Sequence, residues 1–435
     1  MPILRAMFSG EIDSHYIVER HSLVARGDKM IGSVEIAKGI KGAKMSDIKS
    51  TQNKDQAMRN VNTESSLDST SQTQIPAESK LANLPIALFA SVMGIGGLSL
   101  VLKKASVAFG SAALANVSFN STTLNSGANA LESSLDSSPS WQGAIAPFLW
   151  WGAYSFAVLA VVVFALLLVC YGAKMLYHSN AFKADLKHQV KINFLSSIPI
   201  SMLIIVAFWS DLSSGVDLLW QGILGLFYVA SALQLVLSLY VMSFWFKESM
   251  KSALLSPAWF IPIVGNLIVP LSGGLVNAPK ELLLFFFSIG CFFWILLSAM
   301  IMQRLIFEQS LESKFIPTLF IFIAPPSIFV VDFHSLFGAH NALSLIGFNV
   351  ALFFVLLLLS LGNIFTKLNF APSWWAFTFP LCAFGIASFD LYMIEFKCFY
   401  GLLGILGLVM AFFAVVFISY KTLRAVVSGA IFKEP

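Results

Sequence analysis

The chain reads as an all-α membrane protein of ten spanning helices, five broken and gathered around a path, five unbroken and wrapped outside them. Three observations predict this. Of its 435 residues, 57% are hydrophobic and 11% charged, against roughly 25% charged in ordinary soluble domains. It carries ten long apolar runs, near 84–102, 148–174, 192–209, 218–246, 257–276, 281–303, 315–331, 341–362, 373–393 and 398–420; a bilayer core takes about 20 residues per helix. Finally, nine prolines inside these runs all fall in every second run.

Pro85 lies in the first run, Pro199 in the third, and Pro257, Pro262 and Pro270 in the fifth. Pro317, Pro325 and Pro326 lie in the seventh and Pro380 in the ninth, whereas the even runs have only Pro147, just ahead of the second. A proline inside a helix removes a ladder hydrogen bond and clashes one turn back. In lipid the freed backbone groups are tolerated only against protein or around a water-filled cavity. The odd helices therefore belong inside and the Leu/Phe-rich even ones face lipid.

Orientation follows from the basic residues. With the N-terminus inside, the inner loops and tail hold twelve Lys/Arg, among them Lys174, Lys191, Lys314 and Arg424, and the outer loops hold only Lys103, Lys104, Lys280 and Lys397. That bias predicts cytoplasmic termini, in an inner or plasma membrane crossed many times. Nothing in the charge pattern points to nucleic acid.

Residues 1–80 differ from the rest. They hold 11 of the 27 Lys/Arg, with a Ser/Thr/Gln/Asn-rich stretch towards their end, and read as a largely disordered cytoplasmic extension; Ile12–Val24 and Met30–Ile40 are candidate short helices. Residues 81–425 form the membrane domain and 426–435 a cytoplasmic tail. Within the domain, 105–146 is polar and nearly uncharged, an expected outer loop insertion with N-x-S/T sequons at Asn116 and Asn120.

The chemistry-bearing residues are sparse. No carboxylate pair, Ser/His set or HExxH lies in a span, which argues against an enzyme and leaves no catalytic residue, cofactor or metal site. His334 and His340 are the only candidate metal pair, near the expected outer surface. The four cysteines share no metal-type or disulfide spacing. Asp332 and Asp390 are the acids nearest the spans, both expected towards the outer end, so the path reads as almost neutral. Gly94, Gly96 and Gly97, Ser196, Ser197 and Ser201, and Gly265, Asn266 and Ser272 suit either a narrow lined path or tight helix packing. Residues alone give a route for a small solute and leave the sign of its charge open.

Three stretches go further: SPAWFIPIVGNLIVP (256–270), RLIFEQSLESKFIPTLFIFIAPPSIF (304–329) and SWWAFTFPLCAFGIAS (373–388). They resemble the tellurite-resistance/dicarboxylate transporter (TehA-like) family, which includes plant slow-type anion channels and malate permeases. The similarity extends over about residues 84–425, without the extension or the 105–146 loop. It implies five helical hairpins, odd Pro-kinked helices forming a central pore, even helices an outer ring, and a homotrimer with one pore per protomer. It implies partners that are small inorganic or dicarboxylate anions, such as chloride, nitrate, sulfite or C4-dicarboxylate. Matched through WWAFTFP, the family's gating phenylalanine is Phe379, beside Pro380; Phe194 is a candidate second ring. Pro85, Pro199, Pro262, Pro325 and Pro380 are candidate bend and lining residues. The expected activity is a gated anion channel or permease. The alternative is a proton-coupled C4-dicarboxylate or malate carrier, or a sulfite or tellurite efflux carrier.

Overall fold

The computed structural model describes residues 77–124, 141–213, 215–338 and 342–432. Residues 1–76, with the two candidate short helices, and His340 lie outside them. Among the described residues every regular element is a helix. The odd segments contain α1 (Phe89–Leu124), α3 (Ser197–Ser213), α5 (Pro257–Gly273), α7 (Ala324–Phe337) and α9 (Thr378–Glu395). The even ones are α2 (Trp141–Tyr177), α4 (Asp217–Lys247), α6 (Lys280–Phe307), α8 (Ala342–Ser360) and α10 (Cys398–Val427). Nine of the ten segments are long and apolar enough to cross a membrane; α5 is shorter.

The proline alternation sorts them. In α1, α3, α7 and α9 with their lead-in turns, 78–83% of the most apolar window is buried, and in the even helices only 22–39%. The inner helices pack in a closed ring: α1 on α3, α3 on α5, α5 on α7, α7 on α9, and α9 on α1. Each is also covered by the even helix that follows it in the chain.

The expected kinks take a particular form. Each inner segment opens in 3₁₀ winding, at Ile86–Leu88, Lys191–Ser196, Pro257–Trp259, Ile316–Ile323 and Pro372–Phe377. Pro199 and Pro380 then stand third in their α-helices, and Pro325 and Pro326 second and third. First-turn N–H groups have no α-helical acceptor, so a proline there breaks no α-ladder bond. The prolines thus mark where 3₁₀ turns into α. Only α5 is broken internally, into Phe260–Val264 and Ile268–Gly273 around a 3₁₀ turn. The carbonyl of Pro262 is met there by Gln234 Nε2 at 3.0 Å and Ser238 Oγ at 2.6 Å, both from α4. A neighbouring helix resupplies the partners that the break removes.

Two expectations are corrected. The segment 105–146 is not wholly a loop: α1 runs on to Leu124, through both sequons, and α2 begins at Trp141. Polar residues that lack a hydrophobic period gave no sign of helix, yet Ser, Asn and Ala continue a turn already nucleated. Lys103 and Lys104 consequently lie on α1 rather than in a loop, and Pro147 lies within α2 rather than before it. Close backbone approach shapes the rest: a Cβ on Gly407 of α10 would stand 3.0 Å from Gly385 Cα of α9.

Candidate functional site

The starts of the first, third, seventh and ninth segments border a cavity of about 530 Å³, lined by Pro85 and Ile86, Val190, Lys191 and Phe194, Phe315, and Phe370–Ser373. Its charged wall is built on α2 and the short helix Ser179–Lys187. Lys174 Nζ, almost wholly buried, donates to Asp185 Oδ2 at 2.6 Å and to the Leu84 carbonyl at 3.0 Å. Tyr171 Oη donates to the same carboxylate, and Lys191 Nζ lies 3.4 Å from its other oxygen. Two ammonium groups therefore share one carboxylate. Lys314 adds a third, 3.0 Å from Glu312. His188 Nδ1 accepts from the Val190 and Lys191 amides. Burial, then Lys191 and Lys314, hold its pKa below the ordinary value against the pull of Asp185, so the imidazole is neutral near pH 7.

Deeper in the ring lies a second cavity of about 60 Å³, room for a few waters, lined by all five inner helices. Met93 comes from α1, Ile200 from α3, Phe260 to Ile268 from α5, Ile321 to Ile328 from the seventh segment, and Phe379 from α9. Its wall is apolar throughout. The Phe379 ring rests on Gly97, where an added Cβ would lie 3.0 Å from Cδ2. Its neighbour Phe377 is wedged among Phe320, Phe365 and Trp374; no ring contact is found for Phe379 among the described residues.

Beyond this cavity the character changes. Eleven residues after a lining residue, three helical turns or about 16 Å on the same face, stand Lys104 on α1, Asp211 on α3 and Asp390 on α9, and on α7 Asp332 stands one turn after the lining residue Ile328. On α5 the same step from Ile261 reaches Ser272. Lys103 Nζ pairs with Asp211 at 2.7 Å and donates to the Phe208 carbonyl. Lys104 pairs with Asp390 at 2.5 Å, and His334 Nδ1 donates to the other oxygen of that carboxylate at 2.6 Å. The two lysines of α1 thus fasten it to α3 and α9, and His334 brings in α7.

Residues 83–423 match the family model described as SLAC1, voltage-dependent anion channel. The chain belongs to the SLAC1 family. An uncharacterized transporter of Methanocaldococcus jannaschii is 29% identical over 63% of this chain and 84% of its own length. The S-type anion channel SLAH2 of Arabidopsis thaliana is 25% identical over 55% of this chain, less than half (44%) of the plant protein. A tellurite resistance protein TehA homolog of Haemophilus influenzae is 27% identical over 52% of this chain and 67% of its own.

In this SLAC1-family chain the structure divides the expected site residues between the two cavities. Phe379 and Pro325 line the central one; Pro85 and Phe194 line the wide one. Pro199, Pro262 and Pro380 lie beside lining residues without lining either cavity. The apolar lining residues Met93, Ile200, Ile321 and Ile328 were not singled out, because each looks like any other core position until the ring is closed. The charged level was missed too. Its signal was the eleven-residue step, which needs a lining residue as its origin. His334, expected at a span edge, lies within α7 and is bound to Asp390. Among the described residues no group of three or more His, Cys, Asp or Glu is placed to hold a metal.

Proposed function

We propose that this chain passes small anions passively through the ring of inner helices, with Phe379 as the gate. The observation that carries this is the central cavity: five helices converge on it, its wall is apolar, and Phe379 lines it from α9. An apolar constriction of that size blocks by bulk and by dewetting without a binding site. Lys174 and Lys191 share one buried Asp185 while Lys314 is paired with Glu312, which leaves the wide cavity net positive and concentrates anions at its mouth. The relatives named as S-type anion channels support the sign of the charge. Chloride, nitrate, sulfite and C4-dicarboxylates are the candidate substrates, the homotrimer the candidate assembly, and the wide cavity the cytoplasmic side.

The test is anion flux and current in liposomes holding the purified full-length chain. Phe379→Ala should raise nitrate and chloride current at least tenfold over wild type. Equal current in both would remove Phe379 as the gate. Uptake that saturates and follows an imposed proton gradient, without conductance, would replace the channel with a coupled carrier.

A further inference from the structure

One buried acid in the inner ring has been left without a partner. Asp332 is fully buried, and neither carboxyl oxygen meets a hydrogen-bond donor among the described residues. Its position is one helical turn beyond the central cavity. Ile321, Pro325 and Ile328 line the central cavity, and Asp332 follows Ile328 by one turn on the same face of α7. Asp390 occupies the matching stripe of α9 and engages Lys104 Nζ and His334 Nδ1, whereas His334 Nε2 is buried and has no hydrogen-bond partner among the described residues. Two buried carboxyl groups thus stand at the same end of the inner ring, and only Asp390 has hydrogen-bond partners.

The surroundings offer no substitute. α7 packs against α5, α6, α8 and α9. Neither α5 nor α8 carries a titratable side chain. α6 brings Cys291, with Lys280 and Glu281 at its start and Arg304 near its end. α9 brings Cys382, Asp390, Tyr392 and Glu395. On α7 the only other titratable group is His334, already engaged through Nδ1.

A carboxyl group in a membrane interior with no donor cannot sustain a charge and holds a proton instead. The neutral acid leaves the passage neutral. An ionised one would set a negative charge in a low-dielectric channel, where it repels a passing anion strongly. We propose that Asp332 is a proton-binding site on the permeation path, and that anions pass only while it is occupied. The ligand is a single proton, bound by one carboxylate oxygen and released to water without other chemistry. The inference rests on the anion-conducting reading above, and extends it.

The experiment uses the full-length chain in liposomes, with nitrate as the permeant probe and pH stepped from 5 to 9, about four decades of proton activity. Wild-type flux should fall at least tenfold across the series. Asp332→Asn should lose that dependence, passing at least tenfold more nitrate than wild type at the alkaline end. Asp332→Leu, which needs no hydrogen-bond partner, should do the same and guards against an Asn that folds poorly. A neutral variant that tracks the wild-type curve overturns the proposal, as does wild-type flux indifferent to pH, or loss of flux in both variants while they remain folded and monodisperse. A second readout does not depend on transport. Infrared difference spectra should show the carbonyl stretch of a protonated carboxyl in wild type that is missing in Asp332→Asn; its absence from wild type refutes the site. If neither wild type nor Phe379→Ala passes nitrate at any pH, the anion reading has failed, and the infrared result alone decides whether the proton is bound.

Discussion

The two ends of the inner ring solve the same problem differently. At one end the segments start in 3₁₀ turns, and those of the first, third, seventh and ninth border 530 Å³ of space, with one buried pair, Lys174 and Asp185, pinning the wall. At the other the segments are α-helical and are tied side chain to side chain by Lys103, Lys104, Asp211, His334 and Asp390. Both ends use α1–α3 and α1–α9 as neighbours, so the difference lies in winding and charge rather than topology. The narrower 3₁₀ winding accompanies a vestibule at one end; regular α winding brings charged side chains together and makes a belt at the other.

The largest test of that contrast is stability. Lys174→Met should remove the buried partner of Asp185, leaving Tyr171 and the more distant Lys191, and cost up to about 3 kcal/mol, the lower end for breaking a buried pair. Lys104→Met should cost clearly less, because its side chain is 27% exposed against 2% for Lys174. Thermal melting of both variants in detergent gives the comparison; equal shifts would mean that the belt is as dry as the wall.

A middle-sized effect belongs between the two ends. Gly97→Ala places a methyl 3.0 Å from Phe379 Cδ2 and 3.1 Å from Cys382 Cβ, so the ring must move a few tenths of an ångström off α1. Nitrate flux should drop severalfold if that motion is into the cavity, and the drop should vanish when Phe379→Ala is combined with it. Persistence of the effect in the double variant would trace it to α1–α9 packing instead.

The smallest effect is a pH response of the wide end. The folded His188 binds a proton less readily than the unfolded chain does, through burial first and then Lys191 and Lys314. Its contribution to stability is therefore complete above the ordinary imidazole value of about 6.5 and is lost as pH falls through the lower folded value. Melting temperature measured from pH 7.5 down to 5 should fall slightly more in wild type than in His188→Gln, which has no such proton to gain. An identical slope in the two would mean that His188 has no part in it.

Much of this architecture is legible in the residues. Proline placement separates inner from outer helices, Pro147 of α2 apart, although most of these prolines stand in first turns where no α-ladder bond is lost and only α5 is broken internally. The run WWAFTFP leads to Phe379, which the structure places on the central cavity. What the chain conceals is whatever depends on pairs far apart in sequence. Asp185 reads as one more loop acid until Lys174 and Tyr171 close on it. Lys104 reads as loop charge because the apolar period ends near Leu102, although the helix does not. Asp332 reads as an outer-edge acid because nothing in the residues around it reveals that the fold buries it without a hydrogen-bond partner.

The break in α5 bears on how the protein is made. A short, twice-interrupted segment whose Pro262 carbonyl depends on Gln234 and Ser238 is a poor candidate for leaving the translocation machinery by itself. Those two side chains lie on α4, the segment synthesised immediately before it, and are nearly inaccessible to lipid in the finished fold. The order of synthesis thus puts a hydrogen-bonding chaperone in the bilayer before the segment that needs one. Biogenesis of the ring then proceeds in pairs, with α4 and α5 handed over together.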